Sequence, residues 1–200
     1  MLIVGLTGGL ASGKTFVASE LQRLGCHVVE ADQLGREVME PGAAAFNAVL
    51  ETFGPRILAE DGRIDRARLA GIVFRDAHQL ERLNAIVHPA VHQLAQLRFR
   101  TIGATDPSAV IVYAAAILIE TGGYRDLDKL IVVSCSMENQ IERALKRPGA
   151  TEADVLARIS RQLPLKFKLE HADYVIDTDG TVADTVRQTK MVYESLRKLA

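Results

Sequence analysis

The chain has 200 residues, of which 48% are hydrophobic and 24% are charged, and its formal net charge is −1 at pH 7. This length predicts one domain with attached subdomains and a sizeable core, and the near-neutral charge offers no footprint for nucleic acid or an anionic membrane. The longest uncharged apolar run, residues 109–119, is far below the roughly 20 residues that span a bilayer. The amino terminus also lacks the basic region of a signal peptide. We therefore expect a soluble, cytoplasmic monomer or weak homo-oligomer.

Short apolar runs rich in β-branched residues recur along the chain and predict buried strands. They cover residues 2–6, 26–29, 110–113, 130–133 and 174–176. Helical patterns between them cover residues 14–24, 137–146, 152–162 and 182–199, the third opening on an approximate capping box of Thr151 and Asp154. Strands that alternate with helices predict an α/β fold, with a parallel sheet covered on both faces.

The alternation is interrupted between residues 42 and 105, where the pattern is helical throughout. Helix stops are predicted at Gly54-Pro55, Asp61-Gly62 and His88-Pro89. We interpret this stretch as a helical insertion between the second and third strands. Ligands of open parallel sheets bind beyond the carboxyl ends of the strands, so the insertion is placed to hold a substrate. The alternative is that it only covers the sheet.

The two cysteines, Cys26 and Cys135, lie in or at the end of predicted strands. Such positions are typical of buried, reduced thiols rather than of disulfides or metal ligands. His27, His78, His92 and His171 have no i, i+4 partner among one another or the cysteines, so no structural metal is expected.

The first predicted strand is followed by "GGLASGKT", residues 8–15, which matches the pattern G-x-x-x-x-G-K-[ST] of a phosphate-binding loop, or P-loop. Glycines let backbone N–H groups point at phosphate oxygens, and the amino terminus of the next helix favours an anion. Lys14 is expected to reach the β and γ phosphates, and the Thr15 hydroxyl to ligate Mg²⁺. The predicted nucleotide-binding residues of the loop are Gly8, Gly9, Leu10, Ala11, Ser12, Gly13, Lys14 and Thr15.

A P-loop predicts a bound nucleotide but not the reaction. Three classes of protein remain as candidates: a small-molecule kinase, a GTPase-like switch and a binding module without chemistry. The segment "DQLG", residues 32–35, matches the D-x-x-G of a switch, but no N-K-x-D or T-K-x-D element follows it. The third strand has no acidic residue before Glu120. Metal binding is therefore expected to rest on Thr15 and water, with Asp32 assisting.

Asp32 follows the second predicted strand in "HVVEADQLGRE". Its carboxylate is expected at the same edge of the sheet as the P-loop. Transfer of a γ-phosphoryl group to an alcohol needs a group that orients the hydroxyl and accepts its proton. Asp32 is the candidate for this role; the alternative is a helix N-cap, and one residue can serve both purposes.

Six segments in succession resemble the dephospho-CoA kinase family, over nearly the whole chain. They are "GLTGGLASGKT", "EADQLGREVMEPG", "DGRIDRARLAGIVF", "LNAIVHPAV", "RISRQLPLKFK" and "ADYVIDTDG". The resemblance implies that the γ-phosphate of ATP, supplied with Mg²⁺, is transferred to the 3′-hydroxyl of the ribose in dephospho-CoA. This is the last step of coenzyme A biosynthesis. The alternative is another P-loop kinase that acts on a nucleotide or a small alcohol.

The resemblance also implies a P-loop NTPase-type, three-layer parallel sheet within a single kinase domain of residues 1–200. Its nucleotide-binding core would comprise residues 1–41, 106–140 and 170–200. A helical acceptor-binding insertion would cover residues 42–105, and a helical lid that closes over ATP would cover residues 141–169.

The resemblance further assigns roles to single residues. It places Asp32 as the catalytic aspartate beside the acceptor, and it matches Arg36, Arg66 and His88 to acceptor-side positions. Alternatively, the two arginines are solvated surface charges. The alternative for His88 is that it simply precedes a proline that starts a helix.

In the lid, the family's basic series falls on Arg143, Arg147, Arg158, Gln162 and Lys168. Arg143 is expected to act in catalysis and Arg147 to contact the nucleotide, because an arginine that closes on the γ-phosphate stabilises its charge. Some of these positions can equally be solvated charges without a role.

Three positions depart from the family's pattern. Ala11 replaces a residue that is often glycine, and the proline that usually precedes Glu120 is missing. Glu120 keeps its carboxylate and is expected to contact the substrate. Thr178 stands where the family has an asparagine near the adenine, and it is expected to contact the nucleotide.

Overall fold

The structure, a computed structural model, describes all 200 residues. Five strands form one sheet: β1 (Leu2–Gly8), β2 (His27–Glu30), β3 (Val110–Ala114), β4 (Lys129–Ser134) and β5 (Tyr174–Asp177). Their order is β2-β3-β1-β4-β5, and β1 pairs in parallel with both β3 and β4. The predicted strands and the predicted α/β class with a parallel sheet are confirmed. The strand that leads into the P-loop lies at the centre of the sheet.

Nine α-helices complete the fold. They are α1 (Lys14–Arg23), α2 (Ala31–Glu37), α3 (Phe46–Phe53), α4 (Arg66–Val73), α5 (Ala77–Thr105), α6 (Met137–Leu145), α7 (Glu152–Ser160), α8 (Leu165–Leu169) and α9 (Val182–Arg197). The predicted helices that correspond to α1, α6, α7 and α9 are confirmed to within two residues at each end. The five-residue α8 was not predicted, because so short a segment carries no periodicity. None of the helices has both the length and the apolar character needed to cross a membrane.

The chain forms two compact units, and the first comprises Met1–Val29 and Ile102–Ala200. Its core lies between the sheet and the helices α1 and α9, where Val4, Leu21 and Leu196 are fully buried. Apolar side chains on both faces of β1 and β4 are covered, which explains why these strands lack a two-residue alternation.

The second unit comprises Glu30–Thr101 and is largely helical. Its own core contains Val49, Phe53 and Ile57, which pack with residues of α4 and α5. The predicted helix stop at His88-Pro89 is wrong, because α5 continues through Pro89. A proline inside a helix removes one backbone hydrogen bond. Here the turns on either side pack against the core of this unit, and that burial outweighs the local cost.

Candidate active site

The P-loop connects β1 to α1, and its backbone conformation demands small residues. Ala11 and Gly13 both have positive φ angles, of 55° and 87°. A Cβ atom at Gly9 would come within 2.5 Å of the Gln140 Oε1 atom. A side chain at position 9 would therefore displace Gln140, whose Nε2 atom donates to the Cys135 carbonyl oxygen at 2.9 Å.

Hydrogen-bond donors are left without partners where the loop enters α1. Gly13 is the N-cap of α1 and provides no side-chain cap, and the first turn of the helix has no acidic residue. The first N–H groups of a helix have no intrahelical partner, so this end of α1 suits an anion. The Ser12 hydroxyl is buried without a hydrogen-bond partner, and the Lys14 ammonium forms no ion pair or hydrogen bond in the structure.

The residues around the loop do not form a resident metal site. No group of three or more His, Cys, Asp or Glu side chains in the structure could hold a metal ion. The Thr15 hydroxyl, in the exposed first turn of α1, is the donor that the loop itself offers. This donor set fits a Mg²⁺ ion that arrives bound to nucleotide phosphates, since phosphate oxygens and water would complete its coordination.

Arg143 joins α6 to the segment that follows β5. From α6, its guanidinium donates to the Thr178 Oγ1 atom at 3.1 Å and to the Thr178 carbonyl oxygen at 2.5 Å. The Thr178 hydroxyl lies 2.8 Å from the Ser12 carbonyl oxygen, and its Cγ2 atom would be 3.3 Å from a Cβ at Gly13. The structure thus brings Arg143, which was predicted to act in catalysis, and Thr178, which was predicted to contact the nucleotide, together with the P-loop.

The start of α6 is fixed by Asp179, which was not predicted as a site residue. Its carboxylate accepts hydrogen bonds from the Asn139 side chain at 2.8 Å and from the Ser136 backbone N–H at 2.9 Å. These bonds, led by the one from Asn139, lower the pKa of Asp179 to about 2. The only sequence signal was its position after the predicted last strand. Cys135, beside Arg143 in the same region, is a buried free thiol whose pKa is raised by burial.

The lid residues have three different environments. Gln162 accepts a hydrogen bond through Oε1 from the Leu10 backbone N–H, at 2.8 Å. Arg147 and Arg158 are exposed, and their side chains have no partner in the structure. Lys168 is buried and forms an ion pair with Glu120 at 2.6 Å. Lys168 is therefore a structural charge in this conformation, not a solvated one.

Asp32 lies in the first turn of α2, two residues after β2 ends. The helix begins at Ala31 with Glu30 at its N-cap, so the alternative prediction that Asp32 is an N-cap is wrong. Its carboxylate is exposed and has no hydrogen-bond or ion-pair partner. Such a group is free to accept a proton.

Arg36 and Arg66 line one cavity of about 320 Å³ in the second unit. The cavity also contains Arg63, which sequence analysis did not select although it lies in a quoted segment. Arg63 is paired with Glu40 at 3.2 Å and lies 3.8 Å from an Asp61 oxygen. These two acids neutralise Arg63, and the guanidinium groups of Arg36 and Arg66 are left unpaired. The cavity therefore has two unpaired guanidinium groups, and its three arginines and two acids leave a net charge of +1.

His88 does not line this cavity. It lies inside α5, which starts at Ala77, so the alternative that it precedes a helix-starting proline is wrong. His88 is exposed, and desolvation by neighbouring atoms lowers the pKa of its imidazole below its usual value, which favours the neutral form at pH 7.

Comparisons with known proteins point to one family. The family model described as dephospho-CoA kinase matches residues 2–184. The dephospho-CoA kinase of Geobacter sulfurreducens is 40% identical to this chain over 193 residues, which cover 96% of this chain and 98% of the relative. A crystal structure from Thermus thermophilus covers 98% of this chain and 97% of its own, with 30% identity and a TM-score of 0.82. The dephospho-CoA kinase structure from Campylobacter jejuni, 22% identical, covers 98% of this chain and 97% of its own with a TM-score of 0.74 and shares the fold.

Proposed function

This chain belongs to the dephospho-CoA kinase family, and from that premise we propose that it phosphorylates dephospho-CoA with ATP. The 3′-hydroxyl oxygen of the ribose attacks the γ-phosphorus, the bond to the bridging β–γ oxygen breaks, and CoA and ADP leave. The observation that carries this proposal is the relationship to dephospho-CoA kinases over nearly the full chain, since the P-loop by itself is common to many reactions.

ATP binds as its Mg²⁺ complex on the P-loop. The unpaired ammonium of Lys14 supplies a positive charge for the β and γ phosphates, and the free N–H groups at the start of α1 bind phosphate oxygens. The Thr15 hydroxyl is a ligand of the Mg²⁺ ion. Gly8, Gly9 and Gly13 of the loop carry no side chain, which lets the phosphates approach its backbone N–H groups.

Arg143, Arg147 and Thr178 complete the nucleotide site. The bonds between Arg143 and Thr178 keep a guanidinium beside the P-loop, where it can stabilise charge that develops on the transferred group. Arg147, two residues beyond the end of α6, has no partner in the structure. Its guanidinium is therefore available to the nucleotide.

Asp32 acts as the general base. In the proposed step the carboxylate accepts the proton of the 3′-hydroxyl as the oxygen attacks the γ-phosphorus. Two features support the assignment: Asp32 is exposed, and no neighbouring side chain occupies its carboxylate.

The phosphates of dephospho-CoA bind to the arginine-lined cavity of the second unit. Its two unpaired guanidinium groups, Arg36 and Arg66, offer fork-shaped donor sets that match phosphate oxygens. We assign His88 to the acceptor as well, as a neutral hydrogen-bonding group rather than a charge. An ATP-consuming step of coenzyme synthesis also supports a cytoplasmic location.

The test is an assay of ADP release with several candidate acceptors. The purified protein is incubated with Mg-ATP and dephospho-CoA, adenosine, a nucleoside monophosphate, pantothenate or no acceptor. We expect ADP release only with dephospho-CoA, and phosphorus NMR of the product should place the new phosphate at the 3′ position. Faster release with another acceptor, or a phosphate at the 2′ position, would contradict the proposal.

A further inference from the structure

Glu120 lies in the segment after β3, and its carboxylate is occupied by the protein itself. One oxygen, Oε1, accepts a hydrogen bond from the Lys168 ammonium at 2.6 Å and another from the Leu163 backbone N–H at 3.0 Å. The Glu120 side chain is only 19% exposed and the Lys168 side chain only 1%. The Oε1 atom of Glu120 is therefore engaged by Lys168 and Leu163 rather than by a substrate.

Lys168 is a charge that the fold buries. An ammonium that is removed from water requires an opposite charge and hydrogen-bond acceptors. Glu120 provides the charge, and the Ala116 carbonyl oxygen provides a second acceptor at 3.2 Å. The same carbonyl also accepts a bond from the Thr7 hydroxyl at 3.1 Å, at the end of β1. The ion pair therefore fixes α8 to the carboxyl end of the sheet.

The segment that Glu120 holds also contacts the P-loop. Leu163, bonded to Glu120, directly follows Gln162 in the chain. The Gln162 Oε1 atom accepts the bond from the Leu10 N–H at 2.8 Å. Glu120 is thus connected to the phosphate-binding loop in two steps. It holds the Leu163 backbone, and the side chain of the adjacent Gln162 holds the loop at Leu10.

We infer that Glu120 is a positioning residue for nucleotide binding, which acts through Gln162 to hold the P-loop in its phosphate-receiving conformation. The inference rests on the proposed ATP site and gives Glu120 a role other than the substrate contact that the family resemblance implies. Loss of the Glu120 or the Gln162 side chain weakens ATP binding and leaves acceptor binding unchanged.

The experiment measures the Kd of Mg-ATP, without acceptor, and the KM of both substrates for Glu120→Gln, Gln162→Ala and the double variant. We expect Gln162→Ala to weaken ATP binding about 2- to 10-fold, the range of one hydrogen bond. Glu120→Gln should weaken it at least as much, because it also leaves the Lys168 charge unpaired. The double variant should resemble Glu120→Gln alone, since both changes act on one connection. The KM for dephospho-CoA should stay within about twofold of wild type.

Matched controls are Glu170→Gln, an exposed acid just after α8, and Arg161→Ala, the residue before Gln162. Both should bind ATP like the wild type. The inference is overturned if Gln162→Ala binds ATP normally, if the two single effects multiply, or if Glu120→Gln raises only the KM for dephospho-CoA. If Glu120→Gln does not fold, the Kd of Gln162→Ala for Mg-ATP decides whether the inference stands. A wild-type protein that binds ATP but does not phosphorylate dephospho-CoA would contradict the proposed function and leave this inference standing.

Discussion

Arg143 and Thr178 are joined by two hydrogen bonds, one to the hydroxyl at 3.1 Å and one to the backbone carbonyl at 2.5 Å. The Thr178 hydroxyl also lies within hydrogen-bond distance of the Ser12 carbonyl oxygen in the P-loop, at 2.8 Å. Arg143 of α6 is therefore connected to the phosphate-binding loop through one buried threonine side chain.

The first prediction concerns this connection. Thr178→Val keeps the shape of the side chain but removes the hydroxyl, and it leaves the partly buried Arg143 guanidinium and the Ser12 carbonyl each with one partner fewer. We expect ATP affinity to fall about 5- to 100-fold, as for buried polar groups that lose a partner. Isothermal titration with Mg-ATP measures this change. Lys146→Ala, which affects an exposed lysine just after α6, is the control, and equal affinities for Thr178→Val and wild type would contradict the role of Thr178.

Replacement of Lys14 by alanine tests the phosphate cradle. The change removes the charge that would meet the β and γ phosphates, so both nucleotide affinity and kcat should fall, the latter by at least about 100-fold. Steady-state kinetics with varied ATP separate the two effects. Lys190→Ala removes an exposed lysine of α9 and should leave both quantities unchanged. A fully active Lys14→Ala variant would show that phosphates bind elsewhere.

Asp32→Asn keeps the size of the side chain but removes its ability to accept a proton. We expect kcat to fall at least about 100-fold, with ATP affinity within a few-fold of wild type. The control is Glu37→Gln on the same helix, whose carboxylate bonds to Arg98 and Gln33 rather than remaining free. Rapid-quench measurement of a single turnover would detect the loss at the chemical step. Unchanged turnover would mean that another group, or water, takes the proton.

The arginine-lined cavity makes a prediction about substrate selectivity. Arg36→Ala and Arg66→Ala should each raise the KM for dephospho-CoA about 10-fold or more, since each removes a charge-assisted hydrogen bond. The KM for ATP should not change. Arg75→Ala, which removes an exposed arginine outside the cavity, should behave like wild type. If the KM for ATP rises instead, the cavity serves the nucleotide.

Asp179 predicts a dependence of stability on pH. Its pKa is lowered from 3.8 to about 2 by hydrogen bonds to Asn139 and Ser136, so its charged form stabilises the folded state. This contribution is complete above pH 3.8 and is lost as the pH falls through about 2. Urea unfolding should therefore show Asp179→Asn to be less stable than wild type at about pH 5, with a difference that shrinks towards the folded pKa. Asp126→Asn, an exposed acid with no such bonds, should show no such trend.

The strands and the P-loop could be predicted from sequence because their signals are local. Continuous β-branched runs predict strands that are buried on both faces, and the glycines of residues 8–13 mark a turn whose backbone needs positive φ angles. The helix stop at His88-Pro89 could not be excluded in this way. A proline costs a helix one bond locally, and only the core of the second unit, packed along α5, shows that the helix continues.

The amino-acid sequence by itself determined the α/β class, the phosphate-binding loop and the family resemblance, since each depends on residue types at fixed spacing. Only the tertiary structure decided that Arg36 and Arg66 share a cavity while Glu40 and Asp61 neutralise Arg63. It likewise decided that Lys168, one of several basic lid residues in sequence, is the one buried against Glu120. The reason is physical: whether a charge is free or paired depends on its neighbours in space, and these come from distant parts of the chain.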